Sequence, residues 1–178
     1  MSNIKSIKGI GLPFPVEYSS CSSRPPALFN WTNDSSNYEV YVDDAIDRGL
    51  LTPKSAGKYG WLCESREISN QIYLKIVHNL LQYKKSFQGI FTCDETLLKD
   101  PFFVYCPPGS NLPWTKPEEM QVYEKSKTCS MICSPKARTE GHQFRLKIAN
   151  DFKNQIDLFG GAHGSPRIGE GIGPTGDW

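Results

Sequence analysis

Residues 61–93, WLCESREISNQIYLKIVHNLLQYKKSFQGIFTC, decide how the rest of the chain is read. Between Glu67 and Lys85 the apolar residues Ile68, Ile72, Ile76 and Leu80 recur every four positions, with Val77 and Leu81 widening the stripe. That period predicts one amphipathic helix with its apolar face turned to a core. Tyr59–Cys63 before it and Gly89–Cys93 after it are short runs of aromatic and apolar residues, the pattern of buried strands. A strand, a helix and a strand within about 35 residues predict a parallel crossover, because parallel neighbours cannot be joined by a tight turn.

Working outward, the same pattern returns near the C-terminus. Thr128–Cys133 reads as a strand, and Thr139 is placed to cap a helix that runs to about Asn154, with Phe144, Ile148 and Phe152 as its expected buried face. Ile156–Phe159 is the returning strand. Upstream, short strands are expected at Ile7–Ile10, Ala27–Trp31 and Tyr38–Val42, and Asp43–Arg48 opens like a short helix stopped by Gly49. Pro101–Pro113 reads as a loop containing one apolar segment, Phe102–Tyr105, and a further helical piece is expected around Glu118–Lys125. The fold class predicted is therefore α/β, a Rossmann-like parallel sheet over residues 1–124 followed by the first strand–helix–strand unit of a second domain over 125–178. From Gly160 onward the sequence is Gly-rich with little to bury, so the second domain reads as begun but incomplete.

Composition narrows the function classes. The 178 residues carry 20 Lys+Arg against 19 Asp+Glu, a net charge of +1, which provides none of the excess positive field of phosphate-dominated nucleic-acid binding. No run approaches the roughly 20 apolar residues of a membrane helix, and Met1–Gly11 lacks a signal-type apolar stretch. These features predict a cytoplasmic protein, with peripheral association at a membrane left open, and no integral membrane segment. The six cysteines are too sparse for a disulfide frame, and Cys129-x3-Cys133 lacks a second ligand pair for zinc. They read as small apolar side chains. The sequons at Asn30 and Asn33 read as loop polarity.

Two places could carry chemistry. Ser134, Lys136, Arg138 and Arg145 lie between the carboxyl end of a strand and the first turns of a helix, where open α/β sheets bind ligands and helix amides attract phosphate. A nucleotide diphosphate suits that position, and so do plain solvated charges. Glu64 follows the strand through Trp61 and Cys63. Partly desolvated beside an aromatic ring, such a carboxylate could serve as a general base; it equally fits a surface or capping Glu ahead of the helix. The pairs Asp43–Asp44 and Asp94–Glu95 lack the further oxygen ligands of a cation site, and Gly169-Glu-Gly171-Ile-Gly173 has no strand before it and no helix after it to make a phosphate loop.

The stretch Lys125–Ser134, then Gly141-His-Gln-Phe-Arg145, then Ile156-Asp-Leu-Phe-Gly160, resembles the opening of the donor domain of α1,3-fucosyltransferases. Gly60-Trp-Leu-Cys-Glu-Ser65 is similar, more loosely, to that family's acceptor-side strand ending in a base Glu, with Ser65 where the family carries Asn. The resemblance implies a GT-B architecture of two Rossmann-like domains. It implies metal-independent, inverting transfer of fucose from a GDP-sugar to a glycan hydroxyl, with no cofactor beyond that donor substrate. Glu64 is then the base and Arg145 the phosphate ligand, with Lys136, Arg138 and Ser134 beside it. The family's later donor segment is not among these residues. A chain alone without activity is expected, together with pairing to a missing C-terminal segment or another chain. A non-catalytic carbohydrate-binding or assembly module is the alternative.

Overall fold

The computed structural model describes residues 5–12, 16–17, 28–55, 57–107, 122 and 128–165. Two compact units divide the chain, Met1–Met120 and Gln121–Trp178. The expected helical piece around Glu118–Lys125, apart from Val122, and the Gly169–Gly173 motif lie outside the described residues.

The first unit holds six strands: β1 (Lys5–Ile10), β2 (Phe29–Thr32), β3 (Glu39–Val42), β4 (Lys58–Trp61), β5 (Gly89–Thr92) and β6 (Phe103–Tyr105). They form one sheet in the order β2-β1-β3-β4-β5-β6, every pair parallel. This is the Rossmann-like α/β class the sequence predicts. The crossover from β4 to β5 is parallel as expected, with Tyr59 opposite Gly89 and Trp61 opposite Phe91. Phe103–Tyr105, read from sequence as an apolar segment within a loop, is a sixth strand at the sheet edge, where prolines at 101 and 107 can flank it without breaking a central ladder.

The step from β2 to β3 crosses β1 with residues 33–38 and no helix. Register explains how so short a link suffices. Thr32, the last residue of β2, and Glu39, the first of β3, both pair with Lys8, so β2 lies along the first half of β1 and β3 along the second. The chain need only step sideways across one strand, and Ser36 fastens the link by donating its hydroxyl to the Ser6 carbonyl at 2.6 Å.

One face of the sheet, carrying Tyr41, Ile90 and Phe103, packs on α1 (Ile46–Gly49), α2 (Asn70–His78) and α3 (Leu80–Ser86). The core between them is Ile46, Leu62, Ile72, Tyr73, Ile76, Tyr83 and Phe87, all at most 2 % exposed. The single helix expected over Glu67–Lys85 is two. Asn79 leaves the helical region at φ −121°, ψ 29°, and its side-chain amide donates to the Lys75 carbonyl at 3.1 Å, the local bonding by which Asn competes with helix continuation. Ile72 and Ile76 keep their expected places in the core, whereas Val77 (49 %) and Leu81 (75 %) point outward.

At the amino end of β4, Lys58 is fully buried. Its ammonium donates to the carbonyls of Gly49 and Thr52 and to the Thr52 hydroxyl, the last two at 2.8 Å, and lies over the rings of Phe87 (5.0 Å) and Tyr41 (5.5 Å). Burial holds this lysine below the ordinary ammonium range, and the Glu39 charge acts the other way. The cage depends on Gly49, because a Cβ there would come within 2.3 Å of the Phe87 ring.

The second unit contains β7 (Ser130–Ile132), α4 (Glu140–Phe152) and β8 (Asp157–Phe159). β7 and β8 pair in parallel, Ser130 opposite Asp157, which is the crossover the sequence predicts. Thr139 caps α4 as expected, its hydroxyl accepting the His142 amide at 3.2 Å. The buried face of the helix differs from expectation: Phe144 is 65 % and Phe152 46 % exposed, while Ala149 is buried and Leu146 packs beside it on Cys133, Met131, Leu158 and Ala162. Small residues let the helix lie close to a two-stranded sheet too narrow to cover the phenylalanine stripe. The same rotation puts His142, four residues before Leu146, and Arg145, four before Ala149, partly inside.

Candidate functional site

Because the order of strands reverses at β1, the crevice at the carboxyl ends of β1 and β3 is the topological switch point, where open parallel sheets bind ligands. Asp43, the first residue after β3, stands there with φ +46°, a left-handed conformation uncommon outside glycine and best tolerated by Asp and Asn. Its Oδ1 accepts two amides from the turn after β4, Cys63 N–H at 2.8 Å and Glu64 N–H at 3.1 Å. Burial pushes the Asp43 carboxyl up; those two amides lower it, and the neighbouring carboxylates of Glu64 and Asp44 raise it again. Asp43 thus ties the ends of two adjacent strands together and holds the backbone that presents Glu64.

Glu64 lies where the sequence puts it, in the turn that follows β4 at the carboxyl edge of the sheet. Its carbonyl accepts the Tyr73 hydroxyl at 2.8 Å, so both ends of its peptide are fixed, and its side chain is exposed. At this edge burial acts on the Asp43 carboxyl. Beside it, Arg66 makes a paired contact with Asp94 after β5, Nε to Oδ2 and Nη2 to Oδ1 both at 2.9 Å, while its guanidinium covers the Tyr73 ring at 5.1 Å. Burial raises the Asp94 carboxyl, but the Arg66 hydrogen bonds and the amides of Leu97 and Thr96 outweigh it and hold the group below the usual range. The edge therefore offers a half-buried carboxyl at Asp43 bound to two amides, an exposed carboxylate at Glu64 and an Arg66–Asp94 ion pair that joins the β4 and β5 turns.

In the second unit, Cys133 and Ser134 follow the end of β7, and the chain passes through the exposed Lys136 and Arg138 to α4. The end of β8 folds over this strand end. Cys133 N–H donates to the Phe159 carbonyl at 2.7 Å and Ala162 N–H to the Cys133 carbonyl at 3.0 Å. Gly160, at φ +97°, can take no side chain, since a Cβ would lie 2.9 Å from the Cys133 carbonyl oxygen. His163 closes the loop by donating Nε2–H to the Leu146 carbonyl at 2.9 Å. Ser134, Arg145 and the α4 N-terminus thus belong to one strand-to-helix junction. Buried in it are the His142 Nδ1 and Arg145 Nε atoms, for which there is no hydrogen-bond partner among the described residues. A buried guanidinium N–H without an acceptor is costly unless an anion or water completes it.

Of the residues singled out from sequence, Glu64 stands in the first unit and Ser134, Lys136, Arg138 and Arg145 in the second. Sequence reading did not select Asp43 as more than one of an acid pair, nor Arg66. The available signal for Asp43 was its position directly after a β-branched and aromatic run, in a residue type that tolerates left-handed backbone. Among the described residues no group of three or more His, Cys, Asp or Glu is placed to hold a metal ion, and no helix is long and apolar enough to cross a membrane.

Fold and site define the chain as an α/β protein with a six-stranded parallel Rossmann-like sheet and a small parallel two-stranded unit. Comparison with family models, curated proteins and solved structures finds no match.

Proposed function

We propose that this chain is the acceptor side and the phosphate-binding opening of a GT-B glycosyltransferase of fucosyltransferase type, which moves a sugar from a GDP-sugar to a glycan hydroxyl with inversion. The observation that carries the reading is the buried Nε of the partly exposed Arg145 and its neighbour His142 Nδ1, both without an acceptor or donor among the described residues, on the first two turns of a helix entered from the carboxyl end of a parallel strand. A diphosphate brings oxygen acceptors and negative charge to a position where the helix dipole favours both. Ser134, Lys136 and Arg138 line the same connection and would supply the remaining polar contacts. Glu64 would take the proton from the acceptor hydroxyl as its oxygen attacks the anomeric carbon and the bond to the departing GDP breaks. Asp43 would hold the Glu64 backbone in place. Support for a role of Glu64 is its exposed position at the sheet's carboxyl edge, with its peptide fixed at both ends.

Titration calorimetry tests the nucleotide half directly. GDP is expected to bind weakly, and Arg145→Ala to weaken it by about 1–3 kcal/mol as a charge-assisted hydrogen bond is lost. Equal affinity of the two proteins for GDP would remove Arg145 from the site and with it the basis of this reading.

A further inference from the structure

The carboxyl edge of the sheet carries three cysteines that the proposed chemistry does not use, Cys63, Cys93 and Cys106, each just past the end of a strand. Cys93 and Cys106 are the next residues in register after the paired Thr92 and Tyr105 of β5 and β6, and the ladder continues into them, with Cys106 N–H donating to the Thr92 carbonyl at 2.9 Å. Residues opposite each other in a parallel pair project from the same face of the sheet. The thiols of 93 and 106 are therefore lateral neighbours, both partly exposed. Cys63 would be the equivalent neighbour on the other side, but its amide turns away from the ladder to Asp43 Oδ1.

We infer that Cys93 and Cys106 form a reversible disulfide when the protein meets a small-molecule disulfide. Adjacent strands run about 4.8 Å apart, inside the roughly 4.4–6.8 Å between Cα atoms that a disulfide spans. In-register parallel neighbours hold their Cβ atoms nearly as far apart as their Cα atoms, wider than the roughly 3.8 Å a relaxed disulfide prefers, so the bond must draw the strand ends together. Both residues follow the last bridge pair, Thr92 and Tyr105, so drawing them together displaces no further paired residue of β5 and β6. A bond made under that strain is easily reduced, the property of switching rather than structural disulfides.

The chemistry balances with the oxidant named. The Cys93 thiolate attacks one sulfur of the small disulfide, forming a mixed disulfide and expelling one thiolate. Cys106 then loses its proton to water and attacks the Cys93 sulfur, expelling the second thiolate. Two protein thiols are oxidised and one disulfide is reduced to two thiols. Burial, and behind it the neighbouring Cys93, push the Cys106 thiol up, so the first attack falls to Cys93 and Cys106 resolves. The closed form would staple β5 to β6 beside Asp94, whose contact with Arg66 braces the turn that carries Glu64. This inference does not depend on the glycosyltransferase reading.

The test is incubation of the intact 178-residue protein with oxidised glutathione, alkylation of remaining thiols, and mass spectrometry of the unreduced tryptic digest, in which Lys99 separates the two cysteines. A peptide linking Cys93 to Cys106 is expected as the main product and is lost on treatment with dithiothreitol. Cys106→Ser is expected to carry glutathione on Cys93 without a cross-link. A Cys63–Cys93 link as the main product, or wild-type protein that stops at glutathione on Cys93, would overturn the proposal.

Discussion

Carried on a polypeptide that includes a complete donor domain, Glu64→Gln is expected to lower sugar transfer from GDP-fucose by about 10²–10⁴-fold, the contribution of a positioned general base. Gln keeps the shape of the side chain and leaves the backbone contacts of residue 64 with Asp43 and Tyr73 untouched. The acceptor proton then has no carboxylate to receive it. An inverting transfer needs the base and the in-line donor held together, and that positioning can be worth roughly 7–11 kcal/mol. A steady-state assay of the extended wild type against the Glu64→Gln variant reads the effect. Unchanged turnover in the variant would exclude Glu64 as the base.

Phe87→Ala is expected to have the largest effect on stability, a loss of about 3–5 kcal/mol. The ring is fully buried, packs edge-on against Tyr41 at 5.7 Å between centroids and lies alongside Tyr83 at 6.3 Å. It also covers the Lys58 ammonium and fills the space that Gly49 leaves. Truncation opens a cavity directly against the buried Lys58 ammonium, whose hydrogen-bond and ring partners among the described residues are carbonyls, a hydroxyl and two aromatic rings. Phe87→Leu refills part of that volume and should recover a good share of the loss. Urea unfolding of the two variants measures the difference, and a loss below about 1 kcal/mol for Phe87→Ala would show that the core does not centre on this ring.

What could be read in the sequence follows from periodicity and from where the competition between interactions is weak. The parallel crossovers through 61–93 and 128–159 were legible because each strand run is short, apolar and separated from the next by a helical repeat. The Thr139 cap was legible because a Thr ahead of a helical pattern has one role to take. The break at Asn79 was not, since Ile72, Ile76 and Leu80 continue the four-residue repeat straight through it, and only the side-chain bond of Asn79 to Lys75 ends the first helix. The buried face of α4 was misread for a different reason. Phe144, Ile148 and Phe152 are the most apolar stripe, but a sheet of two strands selects the small residue Ala149 for close approach and leaves the large ones outside. At the candidate site, the end of β4 locates Glu64 from sequence, and the helical pattern after Thr139 locates Arg145. The strain and burial at Asp43 come from register between β3 and β4, a long-range pairing that no local pattern encodes.

The central claim is that the strand-to-helix junction of the second unit binds a nucleotide diphosphate, and an amide NMR titration of the labelled 178-residue protein with GDP tests it most directly. The account predicts shift changes concentrated between Ser134 and Arg145, with the amides of Glu140 and Gly141 at the α4 N-terminus among the largest, and their loss in Arg145→Ala. Changes confined to the carboxyl edge of the six-stranded sheet, or none at millimolar GDP, would contradict it.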